Sequence, residues 1–271
     1  MKTRILAAVV LLPLLLLFIL FLPKFLTALL FGVMCAIGAK ELLRGTGLVK
    51  HTRFVTYGMI MAFFVSFWSS MWTVYTLVLL GVFSMFCVLF AELLIFHKEI
   101  KIEELALTFM AGFVLPFLLS AVVRIHNWQY GRVLILLPFV ISFMSDTGAY
   151  FTGRFLGKHK LAPHISPNKT VEGLIGGLVG AVIGVIAYCI VLEKILHFEV
   201  NYWYIPVYGI FGSLGAVFGD LCFSAVKRQT GIKDYGNLIP GHGGILDRFD
   251  SVMVVAPFTE LLMLYIPMVV R

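Results

Sequence analysis

The chain of 271 residues is 61% hydrophobic and only 13% charged, whereas soluble domains are roughly 25% charged. This composition excludes a water-soluble globule, an extended disordered chain, collagen and a disulfide scaffold, and the mean hydropathy of +1.00 predicts a polytopic membrane protein. The net charge of +7 does not by itself indicate nucleic-acid binding, because membrane proteins concentrate Lys and Arg in cytoplasmic loops.

Apolar runs between charged residues predict an all-α fold of about nine transmembrane helices. Runs such as residues 11–17 lack the alternation of a membrane-spanning strand. We divide the single membrane domain into residues 1–132, with five helices, and residues 133–271, with four. In chain order the predicted spans are 5–22, 25–39, 54–68, 72–96, 105–123, 133–151, 171–192, 203–226 and 249–270.

The first predicted span resembles a secretory signal, because Lys2 and Arg4 precede its apolar run. The run is longer than a usual signal core, and it ends at Pro23 and Lys24 without a small-x-small cleavage site. We therefore expect a retained transmembrane helix.

The basic residues predict the orientation of the spans. With a cytoplasmic N-terminus, 16 of the 21 Lys and Arg residues fall in cytoplasmic segments and 5 in outside segments. By the positive-inside rule this places the N-terminus inside and the C-terminus outside, in the plasma (inner) membrane. The +7 charge then needs no nucleic-acid partner. The four cysteines are scattered singly and are interpreted as small hydrophobic residues.

Two hydrophilic loops, 152–170 and 227–248, face the cytoplasm in this topology and gather most of the polar chemistry. The second loop and its end hold four cations and three carboxylates, and glycines on both sides of His242 allow the backbone to approach an anion closely. This composition favours a metal-chelated polyphosphate. A solvated, positive-inside connector is the alternative.

Two carboxylates, Asp146 and Asp220, lie near the predicted cytoplasmic ends of the sixth and eighth spans. Ionisable groups at membrane depth usually face a polar interior, so we expect these two to converge with Asp247 and Asp250. Carboxylate oxygens suit magnesium, which takes one or two of them together with substrate phosphates. Alternatively, each aspartate pairs with a Lys or Arg in a structural role.

The first loop ends at the start of the seventh span. Ser166 as N-cap and Pro167 as first helical residue would make an ordinary helix start, whose free N–H groups, together with Lys169, form an anion site. The alternative is a plain cap with a positive-inside lysine. Glycines at 173, 177, 180 and 184 in the seventh span, and at 215 and 219 in the eighth, predict close helix packing.

Residues 224–250 resemble the CDP-diacylglycerol synthase (phosphatidate cytidylyltransferase) family. The family pattern is Ser-x-apolar-Lys-Arg, four residues, Lys-Asp, and then Pro-x-His-Gly-Gly-apolar-x-Asp-Arg-x-Asp. It is matched without a gap at Ser224, Lys227, Arg228, Lys233, Asp234, Pro240, His242, Gly243, Gly244, Asp247, Arg248 and Asp250. Segments 145–150 and 166–173 are also similar to that family, although Asn168 stands where a Lys is expected. The specific resemblance covers residues 145–250.

The resemblance implies a dimeric enzyme that transfers CMP from CTP to phosphatidic acid and depends on magnesium; a monovalent cation beside it is left open. Asp220 and Asp247 would hold the metal, with Asp146 as a further candidate. The expected catalytic residues are Lys227, Arg228, Lys233, His242, Asp247, Arg248 and Asp250. The expected nucleotide-binding and cofactor-binding residues are Ser166, Asn168, Lys169, Thr170, Ser224, Asp234, Gly243 and Gly244.

Two other functions compete with this one. A CTP-dependent kinase of a lipid alcohol would also need a cytoplasmic triphosphate site, but its nucleophile needs a base. An ion-coupled transporter could use membrane-embedded carboxylates, but it should have repeated halves and midplane sites, and the sequence contains no evident internal repeat.

Overall fold

Long apolar helices dominate the part of the chain that the computed structural model describes, which is residues 18–69, 74–238 and 243–270. In chain order they are α1 (Lys24–Gly45), α2 (Thr52–Trp68), α3 (Val74–Ile95), α4 (Ile102–Phe109), α5 (Leu115–Leu119), α6 (Ala121–Asn127), α7 (Gly131–Leu134), α8 (Leu137–Leu156), α9 (Val171–Lys194), α10 (Ile205–Gln229), α11 (Leu246–Phe249) and α12 (Val252–Tyr265). Two short antiparallel pairs join β1 (Lys160–Ala162) to β2 (Ser166–Thr170) and β3 (Glu199–Val200) to β4 (Val269–Val270).

Within the described residues, six helical segments are long and apolar enough to cross a membrane. They are Lys24–Gly45, Thr76–Ile95, Ile102–Asn127, Gly131–Leu156, Val171–Lys194 and Tyr202–Gln229. Two shorter apolar helices are Thr52–Trp68 and Val252–Tyr265. The chain is therefore an all-α polytopic membrane protein. Most of the first predicted span, residues 5–17, lies outside the described residues, and the total of nine spans stays a prediction.

Several predicted boundaries are wrong. Helix α1 continues six residues beyond the predicted end at Ala39 and carries Glu41 in its last turns. The last predicted span is broken, because α11 and α12 are separate helices and α12 ends at Tyr265. Ile266 precedes Pro267, and a residue before proline disfavours the helical conformation.

The predicted fifth span is helical from Ile102 to Asn127 but is not a regular α-helix throughout. A π-helical turn, Met110–Val114, separates α4 from α5, and Pro116 lies in the first turn of α5. Proline lacks the backbone N–H that would continue the regular hydrogen-bond ladder, and π-turns are a common way to absorb such an interruption.

The chain forms two compact units, residues 1–132 with the signature segment (Lys227–Phe249), and residues 133–226 with 250–271. In the second unit, glycines allow α8 and α9 to pack closely. A Cβ at Gly180 would lie 2.6 Å from the Met144 carbonyl oxygen, and one at Gly177 would lie 3.1 Å from that of Ser145. The predicted close packing is confirmed at Gly177 and Gly180, whereas Gly215 on α10 leaves room for an ordinary contact of 3.5 Å with Val254.

Candidate active site

Asp247 is the centre of a polar cluster in the first unit. Its Oδ1 lies 2.9 Å from the Lys227 ammonium, and its Oδ2 accepts hydrogen bonds from the backbone N–H groups of Tyr235 and Gly244 at 2.9 and 3.0 Å. The side chain is only 1% exposed, and that of Lys227 is 13% exposed. The aspartate thus fixes three parts of the signature segment around one buried charge.

The Lys227 ammonium is also 5.5 Å from the centre of the Tyr235 ring, within cation–π range. Tyr235 is buried, so the ring shields the Lys227–Asp247 ion pair from water. An ion pair that is shielded from water interacts more strongly than an exposed one. The alternative raised from the sequence, that each aspartate pairs with a Lys or Arg in a structural role, therefore describes the contacts of Asp247 in this structure.

Gly243 requires its glycine for two reasons. Its φ of 85° is one that residues with a side chain rarely adopt. A Cβ there would also lie 2.9 Å from Oδ2 of Asp247. The glycine therefore allows the backbone to pass directly over the buried carboxylate.

The other cations of the signature segment, Arg228, Lys233 and Arg248, are exposed, as is Asp234. Exposed guanidinium and ammonium groups on a segment that also contains glycines are suited to binding phosphate oxygens. His242 and Pro240 lie outside the described residues, so their predicted roles stay predictions.

Asp220 has a second, more open environment on α10, in the second unit. Its Oδ2 lies 2.7 Å from the Lys169 ammonium, and its Oδ1 accepts a hydrogen bond from the Ser224 hydroxyl at 3.1 Å. The side chain is 31% exposed. The fold therefore brings Lys169, from the first polar loop, next to two residues that lie one helical turn apart on α10.

Lys169 reaches Asp220 from a strand, and the predicted helix start at Ser166 is wrong. Ser166 to Thr170 form β2, which pairs with β1. The N-cap is Thr170, whose hydroxyl accepts a hydrogen bond from the Gly173 N–H at 3.0 Å. Pro167 lies in β2, where its carbonyl accepts a hydrogen bond from the Lys160 ammonium. Asn168 is exposed on the same strand.

Two further carboxylates, Asp146 and Asp250, belong to the second unit. Asp146 is exposed on α8, ten residues before that helix ends; for comparison, Asp220 lies nine residues before the end of α10. Ser145, which precedes Asp146 on α8, forms a hydrogen bond of 2.7 Å with Ser213 of α10. A Cβ at Gly219 would meet the Asp250 carbonyl, so Asp250 packs beside the residue that precedes Asp220.

The carboxylates of Asp220 and Asp247 meet some of the requirements of a magnesium site. Among the described residues, no three or more His, Cys, Asp or Glu side chains form a metal-binding group. Magnesium often uses only one or two carboxylates and takes its other ligands from water and phosphate. Asp220 meets that requirement with a partly exposed, anionic carboxylate. Both oxygens of each aspartate are already engaged, so a cation would replace the Lys169 ammonium at Asp220 or the Lys227 ammonium at Asp247.

Sequence reasoning missed Glu41 of α1, which binds the signature segment. Its Oε1 accepts a hydrogen bond from the Ile245 N–H at 3.1 Å, and its Oε2 accepts one from the Leu246 N–H at 2.9 Å. Glu41 is 9% exposed. The signal was present, because Glu41 is the only acidic residue among the first 91 residues.

Together these features define a membrane-embedded helical protein whose polar clusters present cations, carboxylates and a glycine turn suited to an anionic substrate. The chain matches the model of the Cytidylyltransferase family over residues 2–266. The chain belongs to this family, because the match covers nearly its whole length.

Curated relatives agree with this assignment. A protein named phosphatidate cytidylyltransferase from Bacillus subtilis is 36% identical over 190 residues, which are 68% of this chain and 69% of the relative. Proteins of the same name from Staphylococcus epidermidis and Staphylococcus saprophyticus are 44% and 43% identical over 130 and 132 residues. These two alignments span about half of each chain, 48% and 49%.

Proposed function

We infer that this chain is a phosphatidate cytidylyltransferase, an enzyme of phospholipid biosynthesis that transfers CMP from CTP to phosphatidate and releases pyrophosphate. The observation that carries the inference is the family match over residues 2–266, joined to a Bacillus subtilis relative of that name aligned over 68% of this chain. The product is CDP-diacylglycerol. CTP and phosphatidate are the substrates.

The reaction needs little acid–base chemistry. A phosphate monoester has a second pKa of about 6, so phosphatidate is largely a dianion at neutral pH. One of its oxygens attacks the α-phosphorus of CTP, a new P–O bond forms, and the bond to the β-phosphate oxygen breaks as pyrophosphate leaves. The protein must chiefly bring two anions together and stabilise the charge on the leaving group.

The exposed cations of the signature segment are the proposed ligands of the phosphates. Arg228, Lys233 and Arg248 are exposed to solvent, whereas Lys227 is held against Asp247. We assign Lys227 to keeping the segment in place and the exposed cations to the phosphates. Ser166, Asn168 and Thr170 stay proposed nucleotide-binding residues on β2.

Magnesium is the proposed cofactor, with Asp220 and Asp247 as its ligands and Asp146 as a further candidate. A bound magnesium ion would neutralise phosphate charge and stabilise the departing pyrophosphate. The partly exposed carboxylate of Asp220 supports this role. For Asp247 the support is the resemblance of its surrounding segment to the family pattern.

The proposed membrane arrangement is nine spans with the N-terminus and both polar loops in the cytoplasm and the C-terminus outside. It rests on the distribution of 16 basic residues against 5. This arrangement gives the site access to soluble CTP and to the phosphatidate headgroup at the same leaflet. We also propose a homodimer in the plasma membrane, as the family resemblance implies.

The deciding experiment incubates the purified full chain with α-labelled CTP, magnesium and phosphatidate vesicles. We expect label in a lipid product that comigrates with CDP-diacylglycerol, and unlabelled pyrophosphate. A lipid alcohol in place of phosphatidate should accept no γ-phosphate from γ-labelled CTP. Label transfer to the alcohol would favour the kinase, and no label in either lipid would contradict the cytidylyltransferase.

A further inference from the structure

We propose that Glu41 is a positioning residue for cytidylyl transfer, because its carboxylate holds the start of α11 and thereby places Asp247 and Arg248. The inference rests on the proposed function and assigns a role to the N-terminal half of the chain. Glu41 and Ile245 are 204 positions apart in the sequence, so the contact is formed only by the tertiary fold of the first unit.

The contact satisfies groups that a helix start leaves unpaired. The first N–H groups of any helix have no carbonyl partner within it, and burying them unpaired is costly. Here three consecutive N–H groups are shared between two carboxylates. Asp247 accepts from Gly244, and Glu41 accepts from Ile245 and Leu246.

The shape of the segment is fitted to the Glu41 carboxylate. A Cβ at Gly236 would lie 2.7 Å from Cδ of Glu41, and a Cβ at Gly244 would collide with the same carboxyl group. Glycines from two parts of the segment therefore surround one carboxylate. A glutamate that only solubilised the helix end would require neither glycine.

Helix α1 packs against the signature segment at several positions along its length. The ring of Phe31 meets that of Phe249 edge-on at 6.3 Å, and a Cβ at Gly45 would lie 2.7 Å from the Tyr235 carbonyl oxygen. A Cβ at Gly38 would lie 3.9 Å from the Leu246 side chain. Within this apolar contact, Glu41 supplies two hydrogen bonds that fix the register of α11.

Glu104 provides a matched control. Its Oε2 accepts hydrogen bonds from the backbone N–H groups of Lys50 and His51 at 3.1 and 3.4 Å, and its side chain is 5% exposed. Glu104→Gln therefore weakens a buried carboxylate cap like that of Glu41, but on the connection between α1 and α2. Both Gln variants should lower the melting temperature of the detergent-solubilised protein to a similar extent.

The activity assay separates the two sites. With the labelled-CTP assay and the amount of folded enzyme normalised, Glu41→Gln should lower kcat/KM for CTP roughly 10- to 100-fold, the scale expected when catalytic groups are misplaced. Glu104→Gln should stay within about threefold of wild type. If the two variants retain equal activity per folded molecule, the proposal is wrong. If the wild-type chain itself labels no lipid, the proposed function fails instead.

A double-mutant cycle tests whether Glu41 acts through Asp247. In an Asp247→Asn background, adding Glu41→Gln should cost clearly less than the roughly 10- to 100-fold expected in wild type, because one of the two groups that it positions is already lost. If the activity losses of the two single variants multiply in full in the double variant, the proposal is wrong. If Glu41→Gln does not fold, Gly236→Ala gives a second test. Its Cβ would lie 2.7 Å from Cδ of Glu41 and displace the carboxylate, so it should lower activity per folded molecule roughly tenfold or more, whereas Gly38→Ala, whose Cβ would only touch Leu246 at 3.9 Å, should stay within about threefold of wild type. Equal activity of the two alanine variants would overturn the assignment.

Discussion

At the scale of single residues, the two proposed metal ligands have opposite environments. Asp220 is 31% exposed and is bound by two side chains, Lys169 and Ser224. Asp247 is 1% exposed and is bound by Lys227 and two backbone N–H groups. The same change of aspartate to asparagine should therefore affect activity at both positions but stability at only one.

For Asp220→Asn we expect activity to fall about 100-fold, or on the order of 3 kcal/mol, because an anionic ligand for a charged substrate complex is lost. Folding should be little affected, since a partly exposed ion pair contributes about 1 kcal/mol or less. Turnover across a magnesium titration and a melting curve in detergent measure both effects. Wild-type turnover would remove Asp220 from the site.

For Asp247→Asn we expect a comparable loss of activity together with a clear loss of stability. The substitution leaves the Lys227 ammonium buried without its counter-charge, and breaking such a pair costs about 3 kcal/mol or more. The double variant Asp247→Asn with Lys227→Met should recover part of the stability and none of the activity. Recovered turnover would show that the carboxylate serves only to neutralise the lysine.

Local sequence pattern nominated most of these residues but not their partners. The pairing of Lys169 with Asp220 and of Lys227 with Asp247 depends on which segments meet in the fold. Glu41 was missed because the second predicted span ended at Ala39, which left Glu41 in a connection without clustered polar chemistry, whereas it lies in the last turns of a helix that begins at Lys24. Its isolation among apolar and basic residues was the usable signal.

At the scale of elements, hydropathy predicted where the long helices lie, and tertiary pairing decided their ends. Ser166 and Thr170 are both suitable N-cap residues, and the pairing of β2 with β1 selects Thr170. The end of α12 could have been predicted locally, because Pro267 disfavours the helical conformation of the residue before it. The predicted span of 249–270 ignored this proline. Local propensity alone could not choose between the two caps.

The contact between α8 and α9 gives a prediction at this scale. Gly180→Ala should destabilise the protein by about 1 to 3 kcal/mol, because its Cβ would lie 2.6 Å from a backbone carbonyl that cannot rotate away. Gly215→Ala on α10 is the control, since its Cβ would make an ordinary contact of 3.5 Å with Val254. Melting curves of the two variants compare them. Equal stability would contradict the close packing of the two helices.

At the scale of the whole molecule, the basic residues and the length of α9 agree on how the second unit crosses the membrane. Helix α9 has 24 residues, or roughly 36 Å at 1.5 Å per residue, which exceeds the ~30 Å of a bilayer core. Lys160 precedes the helix and Lys194 ends it, so a spanning α9 places them on opposite sides. In the orientation proposed from the basic residues, Lys160 is the cytoplasmic one of the two.

Cysteine labelling tests this topology together with the location of the signature segment. Lys160, Lys194 and Lys233 are all exposed in the fold, so single cysteines at these positions are accessible to a reagent in water. In a variant without the native cysteines, a membrane-impermeant thiol reagent added to intact cells should label Lys194→Cys and spare Lys160→Cys and Lys233→Cys. Permeabilised cells, in which all three should react, control for access. Labelling at 160 or 233 in intact cells would reverse the orientation and place the signature segment on the side that lacks CTP.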